Sequence, residues 1–370
     1  MNRTPSPDLQ GIISDRDIFI AVVSNIFGVM TLTVPRLIAE STLSSDGWMS
    51  VFLGGLIASL CGWIVAKIAS SFPNQTFLSY ASYLLSKPVA VVMTLIFSIQ
   101  YIVVTAYNVR EIAVLSHQYL FDYTPQEVVS LAFLLVVIYA VCGSQAAIFR
   151  LNVLFFPILI SGLLIVILLP IGIIQWEGLL PFFQTDFKGY VQSTYYSIVN
   201  MLGFGIVLFY IGLVQKPQKT AKLTAIGVMV TMMFNVAIYI VCIGVFGNAT
   251  IQNMFFPTFD LSRSAEIPGG FFERFDAFLF LFWTIIFFTT AMMAFDIAVM
   301  TIRMVFRKFK KINLVLILSP IIFLISMLPE TYLDIVYFNK LLGHFMFSYF
   351  VIVTLMLGIA FKIKGGKSSG

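Results

Sequence analysis

Ten long apolar stretches separated by short polar breaks make up most of this chain, at about 16–38, 48–70, 88–117, 127–143, 151–174, 190–214, 222–245, 274–303, 312–328 and 334–361. A helix needs about 20 apolar residues to cross the hydrocarbon core of a bilayer, so little chain is left for a separate domain. In lipid, every peptide group must be satisfied within a helix or a closed barrel, and runs this long without two-residue alternation exclude the barrel. The expected fold is an all-α integral membrane bundle of ten transmembrane helices. Charged residues make up only 11% of the 370 positions, against about 25% in soluble domains. That excludes an ordinary water-soluble enzyme. The net charge of +5 does not point to nucleic acid, because the cations lie between apolar stretches rather than on one water-exposed face. The first stretch is longer than a signal-peptide core and lacks a small-residue cleavage site, so it reads as a retained span.

Placing the N-terminus in the cytoplasm puts Arg3, Arg16, Lys67, Lys87, Arg150, Lys216, Lys219, Lys222, Arg303, Arg307, Lys308, Lys310, Lys311, Lys362, Lys364 and Lys367 in cytoplasmic segments, 16 of the 22 cations. Short cytoplasmic loops retain Lys and Arg. The opposite loops hold Asp46, Asp122, Glu177, Asp186, Asp260, Glu266 and Glu330. Both termini are therefore expected in the cytoplasm. The cluster from Arg307 to Lys311 suits a topology signal or an anionic lipid surface.

Catalytic signatures are missing. Cys61, Cys142 and Cys242 each sit inside an apolar run, His117 and His344 are far apart, and no nucleophile elbow occurs. No enzyme activity, metal or cofactor is expected.

Two spans carry the informative pattern. In the first, Ser24-Asn25-Ile26-Phe27-Gly28 places polar and glycine residues at mid-depth, followed by Thr31, Thr33 and Pro35; in the sixth, Asn200-Met201-Leu202-Gly203-Phe204-Gly205 does the same. The sixth span runs opposite to the first. Matching interruptions in two halves point to two inverted five-helix repeats, about 15–174 and 190–362, with broken helices 1 and 6 and a ligand site at the midplane. An unwound turn in a dry bilayer frees N–H and C=O groups that only protein, water or ligand can satisfy. Half-helix N-termini attract a carboxylate and C-terminal carbonyls an ammonium, which suits a zwitterionic amino acid. Asn25, Gly28, Asn200, Gly203 and Gly205 are the candidate contacts, with Phe27 and Phe204 as candidate walls. A tight packing contact or a simple kink is the alternative reading of the same residues.

Gly28, Val34-Pro35-Arg36, Asp46-Gly47-Trp48 and Phe72-Pro73-Asn74-Gln75-Thr76 follow in an order and spacing that resembles the B-subunits of bacterial spore germinant receptors, within the amino acid–polyamine–organocation superfamily. The likeness spans essentially the whole chain, with Val34 where the family often has Leu. It implies a subunit in the inner membrane of a spore that binds a small-molecule germinant, an amino acid, and acts with an A-subunit and a lipoprotein C-subunit. The superfamily's fold also implies that spans 3 and 8 pack beside spans 1 and 6, which adds Tyr101, Thr105 and Thr289 to the candidate pocket. Backbone carbonyls between helices are the alternative partners of these hydroxyls. An amino acid permease working by alternating access around the same site is the second functional reading. Span 5 has no Lys or acidic residue at mid-depth, which weakens ion-coupled pumping.

A charge inside a span costs about 2.5–3.5 kcal/mol on insertion scales, so Arg36, Glu40, Arg110, Glu111 and Asp296 need partners. Arg36 and Glu40 are i,i+4 neighbours and suit a local ion pair or an outer gate. Arg110 and Glu111 do not face each other, and either suits closure of an outer vestibule. Asp296 suits proton coupling, an inner lock or a structural anchor.

Overall fold

A computed structural model describes residues 13–28, 30–121, 123–264 and 275–364. Arg3, Asp122, Glu266 and Lys367, which contribute to the charge asymmetry, lie outside the described residues. Helix α1 (Asp15–Ile26) starts where Ser14 and Asp17 close a capping box, the two side chains each satisfying an orphan N–H. After Phe27 and Gly28 the crossing resumes as α2 (Met30–Ala39), bent by 52° from α1. The chain continues through α3 (Gly47–Ser70), α4 (Phe77–Leu84), α5 (Lys87–Tyr119), α6 (Gln126–Cys142) and α7 (Gln145–Leu168). Helix α7 begins six residues before the apolar stretch at 151, because Ser144 caps it by accepting the Ala147 N–H at 3.2 Å. Helix α4 is too short and too mixed to register as a span. Its buried Phe77, Tyr80, Ala81 and Leu84 form one apolar stripe.

The second half contains α8 (Phe187–Asn200), α9 (Val207–Tyr210), α10 (Thr220–Phe246), α11 (Asn248–Ile251), α12 (Pro257–Arg263), α13 (Phe275–Val305), α14 (Lys311–Ser326) and α15 (Tyr332–Ile363). Among the described residues, seven segments are long and apolar enough to cross a membrane, eight with the bent pair α1 and α2, while α6 and α14 are shorter apolar helices. No strand occurs among the described residues; a single parallel bridge joins Ile13 to Val214. The chain is an all-α multi-pass membrane protein.

The two interruptions differ. The first bends open at Phe27 and Gly28, whereas the second tightens into a 3₁₀ helix over Met201–Ile206. Bonds from i to i+3 keep the peptide groups satisfied, so this crossing changes pitch without exposing backbone to lipid.

Residues 248–263 form an ordered cap. Pro35 lies inside α2 and has no N–H to give to the Thr31 carbonyl. Thr258 Oγ1 supplies the missing donor at 2.7 Å. Gln252 Nε2 donates to the Ala39 carbonyl at 3.0 Å, and Asn248 Nδ2 donates to the carbonyls of Thr42 and Ser44 at 3.1 and 3.0 Å. The cap is thus stitched to α2 and the turn that follows it.

At the same end of the bundle, Asp46 organises the loop before α8. Its carboxylate accepts the backbone N–H groups of Phe183, Gln184 and Thr185 at 2.7, 2.6 and 2.8 Å. Burial pushes the Asp46 carboxyl up, but the Thr185, Phe183 and Gln184 bonds outweigh it and hold the group below its ordinary value. A depressed folded pKa contributes stability that is present above the unfolded value and is lost as pH falls through the folded one. Asp46→Asn is therefore expected to flatten the acid limb of stability below about pH 4, read as the melting temperature of purified protein across pH 3–7. Asp46→Ala, which strands three N–H groups, is expected to cost about 3 kcal/mol at neutral pH.

Candidate functional site

The bend in the first crossing meets the pitch change in the sixth. Asn25 Nδ2, at the last turn of α1, donates to the Gly203 carbonyl at 2.9 Å. A Cβ on Gly203 would lie 3.0 Å from the Asn25 carbonyl carbon and oxygen, so the two backbones touch and only glycine permits the approach. Gly28 lies against α13, where a Cβ would fall 2.6 Å from Thr290 Oγ1. That hydroxyl reaches the Ile286 carbonyl at 3.1 Å and the Ser24 carbonyl at 3.5 Å. Gly205 faces Phe350 and the Tyr101 hydroxyl, 3.4 and 3.8 Å from its notional Cβ. Asn25 and Gly203 thus join α1 to the 3₁₀ segment, Gly28 packs on α13, and Gly205 approaches Tyr101 of α5 and Phe350 of α15.

The other pocket candidates have local partners. Thr105 Oγ1 donates to the Tyr101 carbonyl at 2.7 Å and Thr289 Oγ1 to the Ile286 carbonyl at 2.9 Å, each within its own helix. Of the adjacent threonines on α13, Thr290 is the one that reaches α1. One residue of helix turns a side chain by about 100°, a distinction that residue type does not carry. Phe27 packs edge-on against Phe234 of α10 at 5.6 Å, and Phe204 against Phe350 of α15 at 5.2 Å. The two rings brace different neighbours.

Asn200, 5% exposed at the end of α8, is buried with both polar atoms of its side chain unpartnered. Ser24 Oγ and Thr31 Oγ1, on either side of the first bend, are likewise buried without partners. An unmet buried polar atom costs about 1–3 kcal/mol, so each of these atoms gains a hydrogen bond from any donor or acceptor that reaches it.

Charged residues tie the two ends of the bundle. Arg36 Nε pairs with Glu40 Oε1 at 3.1 Å, and Lys340 of α15 takes Glu40 Oε2 at 2.9 Å. The local pair is present, and Lys340 extends it to a second helix. Arg110 Nη2 donates to the Glu330 carbonyl at 3.3 Å. Glu111 is 2% exposed and accepts the Tyr107 hydroxyl on Oε1 at 2.5 Å, while its Oε2 has no partner. Arg36 and Glu111 line a cavity of about 20 Å³ between α2, α5 and α15. At the opposite end Asp296 is 1% exposed; Lys311 Nζ lies 2.8 Å from its Oδ1, and Tyr210 donates to Oδ2 at 2.9 Å. Gln145 Nε2 is 3.5 Å from the same oxygen. Lys311, read in the sequence as part of a topology signal or a lipid-facing cluster, is the counter-ion of the buried Asp296. No metal-holding group of His, Cys, Asp and Glu occurs among the described residues.

A family model described as "Spore germination protein" matches residues 12–335. The chain belongs to this family. Among its spore germination relatives, GerLB of Bacillus cereus is 40% identical, covering 95% of each chain. YndE of Bacillus subtilis is 27% identical, covering 93% of this chain and 94% of the other. The fold is similar to that of a nucleobase-cation-symport-1 family transporter, Mhp1, in a closed conformation with bromovinylhydantoin bound, at a TM-score of 0.72, 11% identity and coverage of 98% of this chain and 82% of that one. It is also similar to MhsT in complex with L-phenylalanine, at a TM-score of 0.66, 15% identity and coverage of 93% and 88%. This spore germination protein thus carries a transporter-like membrane fold, and its relatives and neighbours are receptor-like or transporter-like rather than enzymes.

Proposed function

We propose that this spore germination protein is the ligand-sensing transmembrane subunit of a germinant receptor. Its ligand is a small nutrient, a neutral amino acid, held at the midplane where the first and sixth crossings change course. In this reading α6 and α14 also span the membrane, giving ten crossings in two inverted repeats with both termini cytoplasmic. The chain sits in the inner membrane of the spore and passes its occupancy to an A-subunit and a lipoprotein C-subunit. A solute shifts such an equilibrium only through unequal affinity for the two states. The observation that carries the reading is the Asn200 carboxamide, buried with both polar atoms unpaired beside the Asn25–Gly203 contact. A zwitterion offers it both a donor and an acceptor.

Asn200→Ala tests this through two readouts of opposite sign. Removing an unpaired amide leaves the ligand-free protein equally or more stable. Losing its hydrogen bonds to a charged ligand, worth about 1.5–3 kcal/mol, lowers sensitivity to nutrient by about tenfold to a hundredfold. Melting temperature and nutrient dose response of variant spores measure the two. An unchanged dose response at normal protein level overturns the site. Uptake of labelled amino acid by the purified chain alone favours the permease; binding without accumulation favours the sensor.

A further inference from the structure

In lipid the anomaly is an exposed polar group, because hydrocarbon offers no hydrogen bond in return. Helix α15 has one such place. Its buried side chains Ile335, Asn339, Leu342, Phe350, Val353 and Leu357 recur on one face. The opposite face is exposed through Tyr337, Leu341, Phe345, Ile352, Leu355 and Ile359, an apolar stripe at helical spacing that suits lipid. His344 and Ser348, one helical turn apart, interrupt that stripe, and both are exposed.

The neighbouring crossing gives their depth. The segment Phe187–Leu213 is 27 residues long, which puts Asn200 at its centre. A Cβ on Gly343 would lie 2.9 Å from Val199 Cγ1, so His344 stands near the middle of the bilayer. An imidazole is too short to reach water from there. Its Nδ1–H donates to the Lys340 carbonyl within the helix, and in the neutral ring Nε2 is then left as an acceptor. Among the described residues nothing bonds to Nε2, to Ser348 Oγ or to the hydroxyl of Tyr195, whose ring packs 5.2 Å from the imidazole. Ionisable side chains within spans almost always face protein and pair there. The partner of this group therefore lies outside the chain.

We infer that this face of α15 is the docking surface for a transmembrane helix of another protein, one that brings a hydrogen-bond donor such as Ser, Thr, Asn or Gln to mid-depth opposite His344. Such bonds hold helices together in lipid, and the small Ser348 lets a second backbone come close. A second copy of this chain fits less well, because a twofold axis along the membrane normal sets one Nε2 acceptor against the other. The inference deepens the proposed function by giving its complex a contact surface, and it rests on that reading only in requiring a partner. Helix α15 touches Val199 through Gly343 and Glu40 through Lys340, so a docked helix is one helix away from both altered crossings.

The purified full chain in liposomes is titrated with fluorescent Leu-rich transmembrane peptides, one with a single central Gln and one without. The Gln peptide is expected to associate about threefold to thirtyfold more tightly. His344→Leu suits lipid better than the native residue, so it folds, and it is expected to erase the preference; Ser348→Ala is expected to reduce it. In spore inner membranes, a photo-cross-linking residue at Leu341 or Phe345 is expected to join a transmembrane peptide of another protein with a polar donor at mid-length. That yield is expected to fall about threefold or more in His344→Leu. At Tyr139 of α6, 84% exposed, the same probe is expected to join lipid. Equal association of the two peptides overturns the inference, as does a preference that survives His344→Leu. Adducts at Leu341 and Phe345 with lipid or a second copy alone also overturn it. Nutrient binding by the purified chain separates this surface from the midplane site: His344→Leu is expected to keep it and Asn200→Ala to lose it. Loss of nutrient binding in a folded His344→Leu chain would put His344 in the ligand's path and end the docking role.

Discussion

Gly203→Leu is expected to abolish the nutrient response while leaving the protein inserted at normal level. The notional Cβ at Gly203 lies 3.0 Å from the carbonyl carbon and oxygen of Asn25, and a backbone group has no rotamer by which to retreat. A leucine therefore wedges α1 from the 3₁₀ segment and breaks the Asn25–Gly203 hydrogen bond. Overpacking of this kind costs about 1–3 kcal/mol, small beside the apolar area that keeps the spans in lipid. The response is expected to fall by about a hundredfold or more, because the lost geometry is that of the proposed site. Gly28→Leu is expected to act in the same way, since its notional Cβ lies 2.6, 2.7 and 3.0 Å from Thr290 Oγ1, Cγ2 and Cβ, and a stiff β-branched side chain cannot clear all three by rotating. Variant spores with normal amounts of protein and a wild-type dose response would show that the two crossings do not hold the ligand.

Lys311→Met is expected to be the most destabilising single change at the opposite end. Asp296 is 1% exposed and Lys311 is its one charged partner among the ion pairs described, at 2.8 Å. Removing the ammonium leaves a carboxylate with the Tyr210 hydroxyl at 2.9 Å and a long contact to Gln145. Stranding one member of a buried pair costs about 3–5 kcal/mol. Asp296→Asn in the same chain removes the stranded charge, so the double variant is expected to recover most of the loss. Unfolding of wild type, both single variants and the double variant in one detergent gives the coupling. A Lys311→Met protein as stable as wild type would mean that the pair carries no energy.

The long crossings were legible in the sequence because their signal is physical: a lipid-exposed segment must be apolar over its full length, whereas boundaries follow caps, so Ser14 starts α1 close to the expected 16 but Ser144 starts α7 six residues before the expected 151. The first bend was legible too, as Gly28 after Asn25 and before Pro35. The sixth crossing was harder, since Gly203-Phe204-Gly205 permits both an opened turn and the 3₁₀ turn that occurs. Long-range partners were not legible. Nothing near Glu40 announces Lys340, 300 positions away, and nothing near Asp296 announces Lys311 across an intervening turn. Thr289 and Thr290 are equivalent as letters and differ only in which way the helix turns them. Asn200 stood out in the sequence as polar at mid-depth, but its lack of partners emerges only from packing.

The stitching of α2 to the segment 248–258 has a mechanical consequence. Thr258, Gln252 and Asn248 grip the carbonyls of Thr31, Ala39, Thr42 and Ser44, while between α1 and α2 the chain is bent at Gly28. The upper half of the first crossing is therefore coupled to the loop leading from α10 to α13, with the glycine as its pivot. A small solute that tilts this half-helix swings a lever whose far arm is an extramembrane surface, where a neighbouring protein can feel it.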